Sequence, residues 1–332
     1  MYRSGNRNFT LQNGFIVMAK IYVLHENDAW VVPLREAFAE RRLPYEEWFL
    51  DAGRVPFDRP PPEGVFYNRM SASSHTRGHR YAPELTQATL NWLEAHGRRV
   101  VNSSRALYLE VSKVVQYTAL ERAGIRTPRS VAAVGREALL RSARDFGEAP
   151  FIVKPNRGGK GLGVRLLQSV AELEAHLEAR PEEAPIDGVW LIQQYVAAPE
   201  PFITRCEFVG GRFLYAVRVD TRDGFLLCPS DVCAVETPDA APRGPKFEIL
   251  PDFDDPILER YAAFLADNGI EISGIEFIQD ADGRIFTYDV NTNTNYNPDA
   301  EAAFGGPRGM PAIADFLGSE LARLYTPVAA AE

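Results

Sequence analysis

A lysine- and glycine-rich stretch over residues 151–164 is the part of the chain whose residue types most directly indicate chemistry. An apolar segment ends at Lys154 and is followed by a loop and a second apolar segment, a pattern that predicts a strand–turn–strand hairpin. Glycines allow backbone angles that other residues avoid, and their N–H groups are accessible to phosphate oxygens. The loop holds four glycines and one lysine: Gly158, Gly159, Lys160, Gly161 and Gly163.

Two common phosphate-binding motifs are excluded for this loop. The Walker A pattern requires Ser or Thr after its lysine, whereas Gly161 follows Lys160. The dinucleotide-binding pattern G-x-G-x-x-G is not met in any register, and the loop leads into a strand rather than a helix. A flexible hairpin without a ligand remains the alternative interpretation of this stretch by itself.

Three oxygen-bearing side chains predict a metal site near the end of the chain. Glu276 lies in one apolar segment, and Asp289 and Asn291 lie in the next, with a turn between the two. Alternation along a strand puts Asp289 and Asn291 on one face, and pairing across the turn brings Glu276 beside them. Hard oxygen ligands, two of them anionic, suit Mg²⁺ that bridges nucleotide phosphates. The alternative is an edge hairpin with solvated carboxylates, which the alternating apolar residues of both segments disfavour.

Three arginines are candidate ligands for anionic groups. Arg69 follows the predicted strand at residues 64–67, and ligands of open α/β sheets bind beyond the carboxyl ends of the strands. Arg205 and Arg218 lie on the two arms of a further predicted hairpin. An arginine at a strand end is also common as a plain surface residue, so the alternative interpretation stays open for Arg69.

The elements that position these residues form a mixed α/β chain. Its N-terminal part alternates strand, helix and strand, as in parallel sheets, and hairpins dominate its later part. A single helix over residues 107–124 carries Lys113 and ends at Gly124. The other predicted helices cover residues 32–42, 81–97, 137–146, 170–177, 255–268 and 310–325, and the predicted strands outside the glycine-rich hairpin cover residues 21–24, 45–50, 64–67, 98–102, 130–134, 189–196, 204–209, 212–219, 274–279 and 284–290.

The composition is that of an ordinary globular protein: 332 residues, 45% hydrophobic, with a net charge of −9. This charge does not indicate a nucleic-acid-binding surface. No apolar run is long enough for a membrane helix, and a signal peptide is not expected. The three cysteines, Cys206, Cys228 and Cys233, form no C-x-x-C pair, which favours reduced thiols and a cytoplasmic location.

The order and spacing of these residues resemble the ATP-grasp superfamily, and within it the RimK-type carboxylate–amine ligases related to glutathione synthetase. Lys113 and Lys154 resemble the family's two nucleotide-binding lysines, and residues 158–163 resemble the loop that closes over the phosphates. By the same resemblance, the hinge strand that holds adenine is Gln193, Gln194, Tyr195 and Val196, and the metal positions are Glu276, Asp289 and Asn291.

The resemblance implies an ATP-grasp fold of the α/β class, with α+β lobes and an N-terminal Rossmann-like pre-ATP-grasp domain. It also implies ATP and Mg²⁺ as cofactors, with one or two ions bound and Mn²⁺ as an alternative. Residues 1–17 are expected to be a disordered extension, and residues 327–332 a frayed tail. The expected domains are a pre-ATP-grasp substrate domain at residues 18–108, a small lobe with the glycine-rich loop at 109–190, and a C-terminal lobe with the metal site at 191–326.

The reaction implied by the resemblance joins a small-molecule carboxylate to an amine, an amino acid or a peptide, through an acyl phosphate, with ADP and phosphate as products. Arg218 would support the acyl phosphate, and Arg205 and Lys154 would be further catalytic residues. Arg69 would bind a substrate carboxylate, and Asn293 and Asn295 would orient the substrate by amide hydrogen bonds.

Glu276 and Asp289 reverse the family's usual Asp-then-Glu order, residues 291–297 are richer in amides than the family's usual sequence, and two residues of the nucleotide site also depart from the family pattern. Gln194 stands where the hinge usually has Glu, and Ile203 stands where an acidic residue usually binds the ribose. The loss of one such hydrogen bond costs about 0.5–1.5 kcal/mol. The alternatives are an ATP-grasp phosphotransferase that acts on a hydroxyl and a non-catalytic nucleotide-binding protein. The identity of both substrates and a homo-oligomeric state are left open.

Overall fold

The computed structural model describes residues 9–12, 15–159, 161–222 and 245–325, so Lys160, Cys228, Cys233 and the expected tail lie outside the described ranges. None of the helices in these ranges is long and apolar enough to cross a membrane. The strands are β1 Phe9–Gln12, β2 Phe15–Met18, β3 Lys20–His25, β4 Tyr45–Phe49, β5 Gly64–Asn68, β6 Arg99–Val101, β7 Ser130–Val134, β8 Phe151–Pro155, β9 Arg165–Leu167, β10 Val189–Gln194, β11 Phe202–Val209, β12 Arg212–Asp220, β13 Phe247–Leu250, β14 Ile272–Gln279 and β15 Ile285–Asn291. The helices are α1 Val32–Glu40, α2 Ala82–Ala95, α3 Ser104–Glu110, α4 Lys113–Arg122, α5 Arg136–Phe146, α6 Val170–Ala179, α7 Ile257–Asp267, α8 Pro298–Phe304 and α9 Gly309–Tyr325, with a 3₁₀ helix at Ser74–Arg77.

The N-terminal sheet contains four parallel strands in the order β4-β3-β5-β6. Helices α1 and α9 cover one face of it, and α2 covers the other. Strands β3 and β5 are therefore buried along almost their whole length, as is usual for parallel strands between helices. The predicted strand–helix–strand opening is confirmed, and the carboxyl end of β5 carries Arg69 into the interior.

The middle sheet is antiparallel, in the order β7-β10-β8-β9. Helices α5 and α6 pack on one face through a cluster that includes Leu139 and Leu173. Strands β8 and β9 form the hairpin that the glycine-rich stretch predicts, with Phe151 paired to Leu167. The other face of this sheet is turned toward the centre of the molecule, where β8 delivers Lys154.

The C-terminal sheet is also antiparallel, with the order β13-β12-β11-β14-β15. One face packs on α4 and α7 through apolar residues such as Cys206 and Phe208. The opposite face carries Arg205 and Glu207, which are buried although they are charged. This face also carries buried apolar residues such as Tyr215 and Val217, which belong to the same core as α9, and its part around Arg205 borders the interior cavity described below.

Parts of the fold differ from the sequence expectation. Residues 107–124 form two helices, α3 and α4, because the Ser112 side chain accepts a hydrogen bond from Val115 N–H and so caps a new helix. Strands β1 and β2 pair as a short hairpin within the segment expected to be disordered. Strand β13 and helix α8 were absent from the sequence prediction, although Asn297 as N-cap and Pro298 after it signal the start of α8.

Candidate active site

A cavity of about 560 Å³ lies where the N-terminal, middle and C-terminal sheets meet, within the usual size range of small-ligand pockets. Of the predicted site residues that the structure describes, all but three line it; the exceptions are Arg69, Gly163 and Arg218. The lining residues from the prediction are Lys113, Lys154, Gly158, Gly159, Gly161, Gln193, Gln194, Tyr195, Val196, Arg205, Glu276, Asp289, Asn291, Asn293 and Asn295.

Lys113 is the first residue of α4, and the start of this helix is tied to the end of β8. The Asn156 side-chain oxygen accepts a hydrogen bond from Val114 N–H at 2.9 Å. From this position the Lys113 ammonium forms an ion pair with Asp289 of the C-terminal sheet. Burial disfavours the charged lysine, but its anionic neighbours, led by Asp289, outweigh burial and raise the pKa of Lys113.

Lys154 reaches the same cavity from β8 but has no carboxylate partner among the described residues. Its Nζ donates to the Tyr117 hydroxyl at 2.6 Å, and Gln193 Nε2 donates to the same hydroxyl at 3.1 Å. Burial, together with the positive charge of Lys113, lowers the pKa of Lys154 to about 7. A phosphate that enters the cavity would supply the missing anion and favour the charged form.

The loop between β8 and β9 owes its path to its glycines. Gly161 and Gly163 have φ angles of 72° and 75°, in the left-handed region that other residues rarely adopt. Gly159 lies against the segment that follows β5, since a Cβ added there would be 3.2 Å from Ser73 Cβ. The loop can therefore approach a ligand with its main chain and at the same time contact the segment after β5.

The end of β10 leaves main-chain groups available at the cavity wall. The side chains of Gln193 and Gln194 are engaged inside the protein: Gln194 Oε1 accepts from Arg129 N–H at 3.2 Å. Strand pairing ends at Gln194, so the N–H and C=O groups of Tyr195 and Val196 lie beyond the ladder. Such groups can form hydrogen bonds with a planar heterocycle, which is the role that the resemblance gives this segment.

The three predicted metal ligands lie together on the cavity face of the C-terminal sheet. Glu276 is directly opposite Asp289 in the β14–β15 pair because the ladder shifts by one residue between Glu276 and Phe277. Asn291 Nδ2 donates to Glu276 Oε1 at 3.4 Å, which turns Asn291 Oδ1 away from Glu276. Burial raises the pKa of Glu276 despite the nearby Arg205, and the charge of Asp289 adds to this effect. Two carboxylates and an amide oxygen form a hard donor set that fits Mg²⁺ and that a divalent cation would stabilise.

Arg205 on β11 connects Glu276 of β14 to Thr294 in the loop after β15. Its Nη1 donates to Glu276 Oε1 at 2.8 Å, and its Nε donates to Glu207 Oε1 at 2.5 Å. Its Nη2 donates to the Thr294 hydroxyl at 2.6 Å. The guanidinium lies directly over Gly274, where an added Cβ would be 2.6 Å from Arg205 Cζ. Glycine at this position therefore makes room for Arg205 beside the metal ligands.

Arg218 does not reach the cavity. It lies opposite Thr204 in the β11–β12 pair, and directly paired residues point to the same face of a sheet. Arg205 follows Thr204 and so points to the other face. Arg218 Nη2 donates to Glu200 Oε2 at 2.9 Å, and its guanidinium stacks 4.1 Å from the centre of the Phe202 ring. In this structure Arg218 therefore lies on the opposite face of the sheet from Arg205 and does not line the cavity.

Arg69, Asn293 and Asn295 come together, but Arg69 lies behind the two amides. Its side chain is buried, and its Nη2 donates to Asn293 Oδ1 at 3.1 Å and to Asn295 Oδ1 at 3.0 Å. Asn293 and Asn295 line the cavity, whereas Arg69 does not. In this structure the two amides thus lie between Arg69 and the cavity, whereas the sequence analysis expected Arg69 to contact a substrate carboxylate directly.

Several cavity residues were missed by the sequence analysis. Tyr117 could have been found, because it lies one helical turn after Lys113 on the same face of α4. Glu110 accepts from Ala72 N–H at 3.3 Å and from Thr292 N–H at 2.8 Å, and so connects two loops that are distant in sequence. No local pattern signals such contacts, and the same holds for the lining residues Trp30, Ser71 and Ser73.

A separate cluster at the carboxyl end of β3 contains His25, Asp28 and Glu47. Arg35 already occupies its centre: Nη2 donates to Asp28 Oδ1 at 2.8 Å and to Glu47 Oε2 at 2.6 Å. The guanidinium supplies the positive charge that a metal would bring, so this cluster is explained as a salt-bridge network.

Comparisons with known proteins agree with this geometry. Residues 111–227 match the model of the RimK-like ATP-grasp domain. A probable alpha-L-glutamate ligase of Teredinibacter turnerae is 30% identical over 40% of this chain and 42% of its own length. A tetrahydromethanopterin:alpha-L-glutamate ligase of Methanosarcina acetivorans is 32% identical over 39% of this chain and 41% of its own length. The chain thus spans about two fifths of the length of the curated relatives it matches.

Solved structures resemble the chain over most of its length. The RimK domain ATP-grasp protein of Sphaerobacter thermophilus has a TM-score of 0.63 at 18% identity and covers 90% of this chain and 99% of its own. The ATP-grasp ligase PsnB, complexed with a minimal precursor, has a TM-score of 0.64 at 19% identity and covers 91% of this chain and 99% of its own. The chain therefore has the ATP-grasp fold, and its residues 111–227 are similar to the RimK-like ATP-grasp domain.

Proposed function

We propose that the protein is an ATP- and Mg²⁺-dependent carboxylate–amine ligase that forms an amide bond through an acyl phosphate. The observation that carries this proposal is the convergence of Lys113, Lys154 and the oxygen ligands Glu276, Asp289 and Asn291 on one cavity, although they come from three separate parts of the fold. The curated relatives are named as glutamate ligases, which supports the same reaction class. The need for ATP favours the cytoplasmic location expected from the cysteine pattern.

In this proposal ATP lies between the end of β10 and the C-terminal sheet. The main-chain groups of Tyr195 and Val196 bind adenine, and the glycine-rich loop covers the phosphates. Lys113 of α4 and Lys154 of β8 neutralise phosphate charge in the cavity that both of them line. Positioning and charge neutralisation are the main contributions that a protein makes to phosphoryl transfer.

Glu276, Asp289 and Asn291 are the residues that would hold one or two Mg²⁺ ions, or Mn²⁺. A bound ion would supply Lewis-acid neutralisation of charge on the phosphate oxygens. Ion binding would also offset the repulsion between Glu276 and Asp289, which lie opposite each other in the sheet. Lys113 pairs with Asp289 and Arg205 with Glu276, so the protein itself holds both carboxylates in position.

The reaction has two steps. A carboxylate oxygen of the substrate attacks the γ-phosphorus of ATP, the bond to the bridging oxygen breaks, and ADP leaves with that electron pair. The amine then adds to the carbonyl carbon of the acyl phosphate, loses a proton, and inorganic phosphate departs as the amide forms. We assign the cation beside the developing oxyanion to Arg205 rather than Arg218, because Arg205 is on the cavity face of the sheet.

The decisive experiment measures phosphate release from Mg-ATP in the presence of pools of carboxylates and amines. The wild type is compared with Asp289→Asn and with the matched control Asp282→Asn. Asp282 lies on the same hairpin, in its exposed turn, where its side chain is 70% exposed. Release that needs both a carboxylate and an amine, and that is lost only in Asp289→Asn, supports the ligase.

The other outcomes separate the alternatives. Release that needs a hydroxyl compound and no amine would support a phosphotransferase. ATP binding without release in any pool would support a nucleotide-binding protein, which Gln194 and Ile203 motivate because both depart from the family pattern. Equal release by wild type and Asp289→Asn would contradict the metal assignment.

A further inference from the structure

The loop after β15 carries two asparagines whose amides are both fixed by one buried arginine. Arg69 is 1% exposed and is among the largest fully buried side chains of the described chain. Its Nε and Nη2 donate to Asn293 Oδ1 at 3.2 and 3.1 Å. Its Nη2 also donates to Asn295 Oδ1 at 3.0 Å and to the Thr294 carbonyl at 3.1 Å. Arg69 thus engages three successive residues at the cavity wall.

The chemistry of guanidinium decides how these amides are oriented. Arginine has N–H donors and no acceptor, so an asparagine that contacts it must present its oxygen. The nitrogens of Asn293 and Asn295 are then directed away from Arg69, and both residues line the cavity. Within the described residues, no hydrogen bond from either amide nitrogen to a protein acceptor is found. The cavity wall therefore carries two neutral N–H₂ groups that donate and cannot accept.

Such a pair selects for ligands by hydrogen-bond type. A carboxylate offers only acceptor oxygens and can take one hydrogen bond from each amide. An ammonium group offers only donors and would find no acceptor in this pair. The Ser71 and Ser73 hydroxyls line the same cavity, so no fixed negative charge is added by the loop after β5.

We propose that Asn293 and Asn295 form the subsite for the carboxylate of the acid substrate, and that Arg69 is a positioning residue that presents their N–H₂ groups. This inference rests on the proposed ligase function, since it names the residues that recognise the acid before it is phosphorylated. The subsite adjoins Asn291 in the chain and Arg205 across Thr294, which places the acid next to the proposed metal ligands.

Asn→Asp substitutions test the subsite without removing the contact to Arg69. Asn293→Asp and Asn295→Asp each keep an oxygen toward the guanidinium, so folding is retained. Each variant loses the N–H₂ donor of the substituted residue and gains one negative charge. Asn297→Asp is the matched control: Asn297 caps α8 by accepting from Ala300 N–H at 2.9 Å, and Asp is an equally good N-cap. All three variants change the charge by the same amount within one loop.

The measurement is a ligand-observed NMR titration with acetate, succinate and L-glutamate, and with methylammonium and 1,4-butanediammonium as cationic counterparts. Titrations are made with and without a non-hydrolysable Mg-ATP analogue, which fills the phosphate positions. We expect an acid of the series to bind the wild type and to bind at least about tenfold more weakly to Asn293→Asp and Asn295→Asp. Asn297→Asp should remain within about twofold of the wild type, and the cations should not compete.

Unchanged acid affinity in Asn293→Asp and Asn295→Asp, an equal loss in Asn297→Asp, or the absence of acid binding to the wild type would each overturn the subsite. Arg69→Met should also weaken acid binding, and Arg69→Lys should restore part of it while the KM for ATP stays constant. If acids bind as expected but phosphate release never requires an amine, the ligase proposal fails and the subsite stands. If release requires both substrates but the Asp variants keep the wild-type KM for the acid, the subsite fails and the ligase stands.

Discussion

Nucleotide binding should take up a proton, and the proton should go to Lys154. This lysine is buried with a pKa of about 7, whereas the pKa of Lys113 is raised by its pairing with Asp289. Above neutral pH the empty cavity therefore holds one charged lysine and one mostly neutral lysine. Phosphate groups placed between them favour the charged form of Lys154, so that binding and protonation are linked.

The size of the effect follows from the pKa. At about pH 8, one unit above the pKa, about nine tenths of Lys154 is neutral, so binding should take up about 0.9 proton per nucleotide; at about pH 6 the uptake should be about 0.1. If only the charged form binds well, affinity should fall by up to about fiftyfold between about pH 7 and pH 9. The stability of the empty protein changes in the opposite direction. Its unfolded chain holds the Lys154 proton up to the ordinary pKa of 10.5, so stability rises with pH between about 7 and 10.5.

The assay is titration calorimetry of Mg-ADP in buffers with different ionisation enthalpies, which counts the protons exchanged. Lys154→Arg keeps its charge at every pH used and serves as the matched control, with no uptake from this position. Wild-type uptake close to zero at about pH 8, or equal uptake in wild type and Lys154→Arg, would refute the reasoning. Either result would mean that Lys154 is already charged in the empty cavity or that phosphates do not approach it.

Substitutions at four further positions test other parts of the geometry. Gly274→Ala should reduce the free energy of unfolding by about 3 kcal/mol in a denaturant titration, because its Cβ displaces Arg205 from buried carboxylates. Asn102 has φ 58° and forms four side-chain hydrogen bonds to the start of β14 and the loop after β15. Asn102→Ala should therefore cost about 3 kcal/mol or more, and Asn102→Gly about 1 kcal/mol less, since glycine tolerates this backbone angle; equal losses would remove the backbone part of the argument. In the phosphate-release assay, Arg218→Met should stay within about twofold of the wild type, whereas Arg205→Lys should lose at least about tenfold; the reverse order would return the catalytic role to Arg218.

Local sequence patterns predicted most of the helices and strands, but only some of the side-chain contacts between them. Alternation and turn residues located the β14–β15 hairpin and so brought Glu276 near Asp289 and Asn291. They did not give its register, because the ladder shifts between Glu276 and Phe277, and this shift sets Glu276 opposite Asp289 rather than Tyr288. The resemblance placed Lys113 and Lys154 on two elements that meet. The burial of Arg69 could not be inferred, because its partners Asn293 and Asn295 lie more than two hundred residues away in sequence. The sequence around a strand-end arginine does not distinguish an arginine that lines the cavity from one that is buried behind the lining residues.

The orientation of Arg218 has a definite structural cause. From the two-glycine turn, β12 pairs with β11 as Arg212 with Val209 and Phe213 with Phe208, and an unbroken ladder would set Arg218 opposite Ile203, on the cavity face with Arg205. The ladder instead shifts between Glu207 and Phe208, and Arg218 is paired with Thr204. A shift of one residue moves every later side chain to the other face of the sheet. Leu214, the residue left without a partner, is an ordinary strand residue, so nothing in the sequence marks the bulge. Whether Arg218 faces the cavity together with Arg205 is thus decided by Leu214, the residue without a strand partner, and the placement of Arg218 on the opposite face required the folded structure.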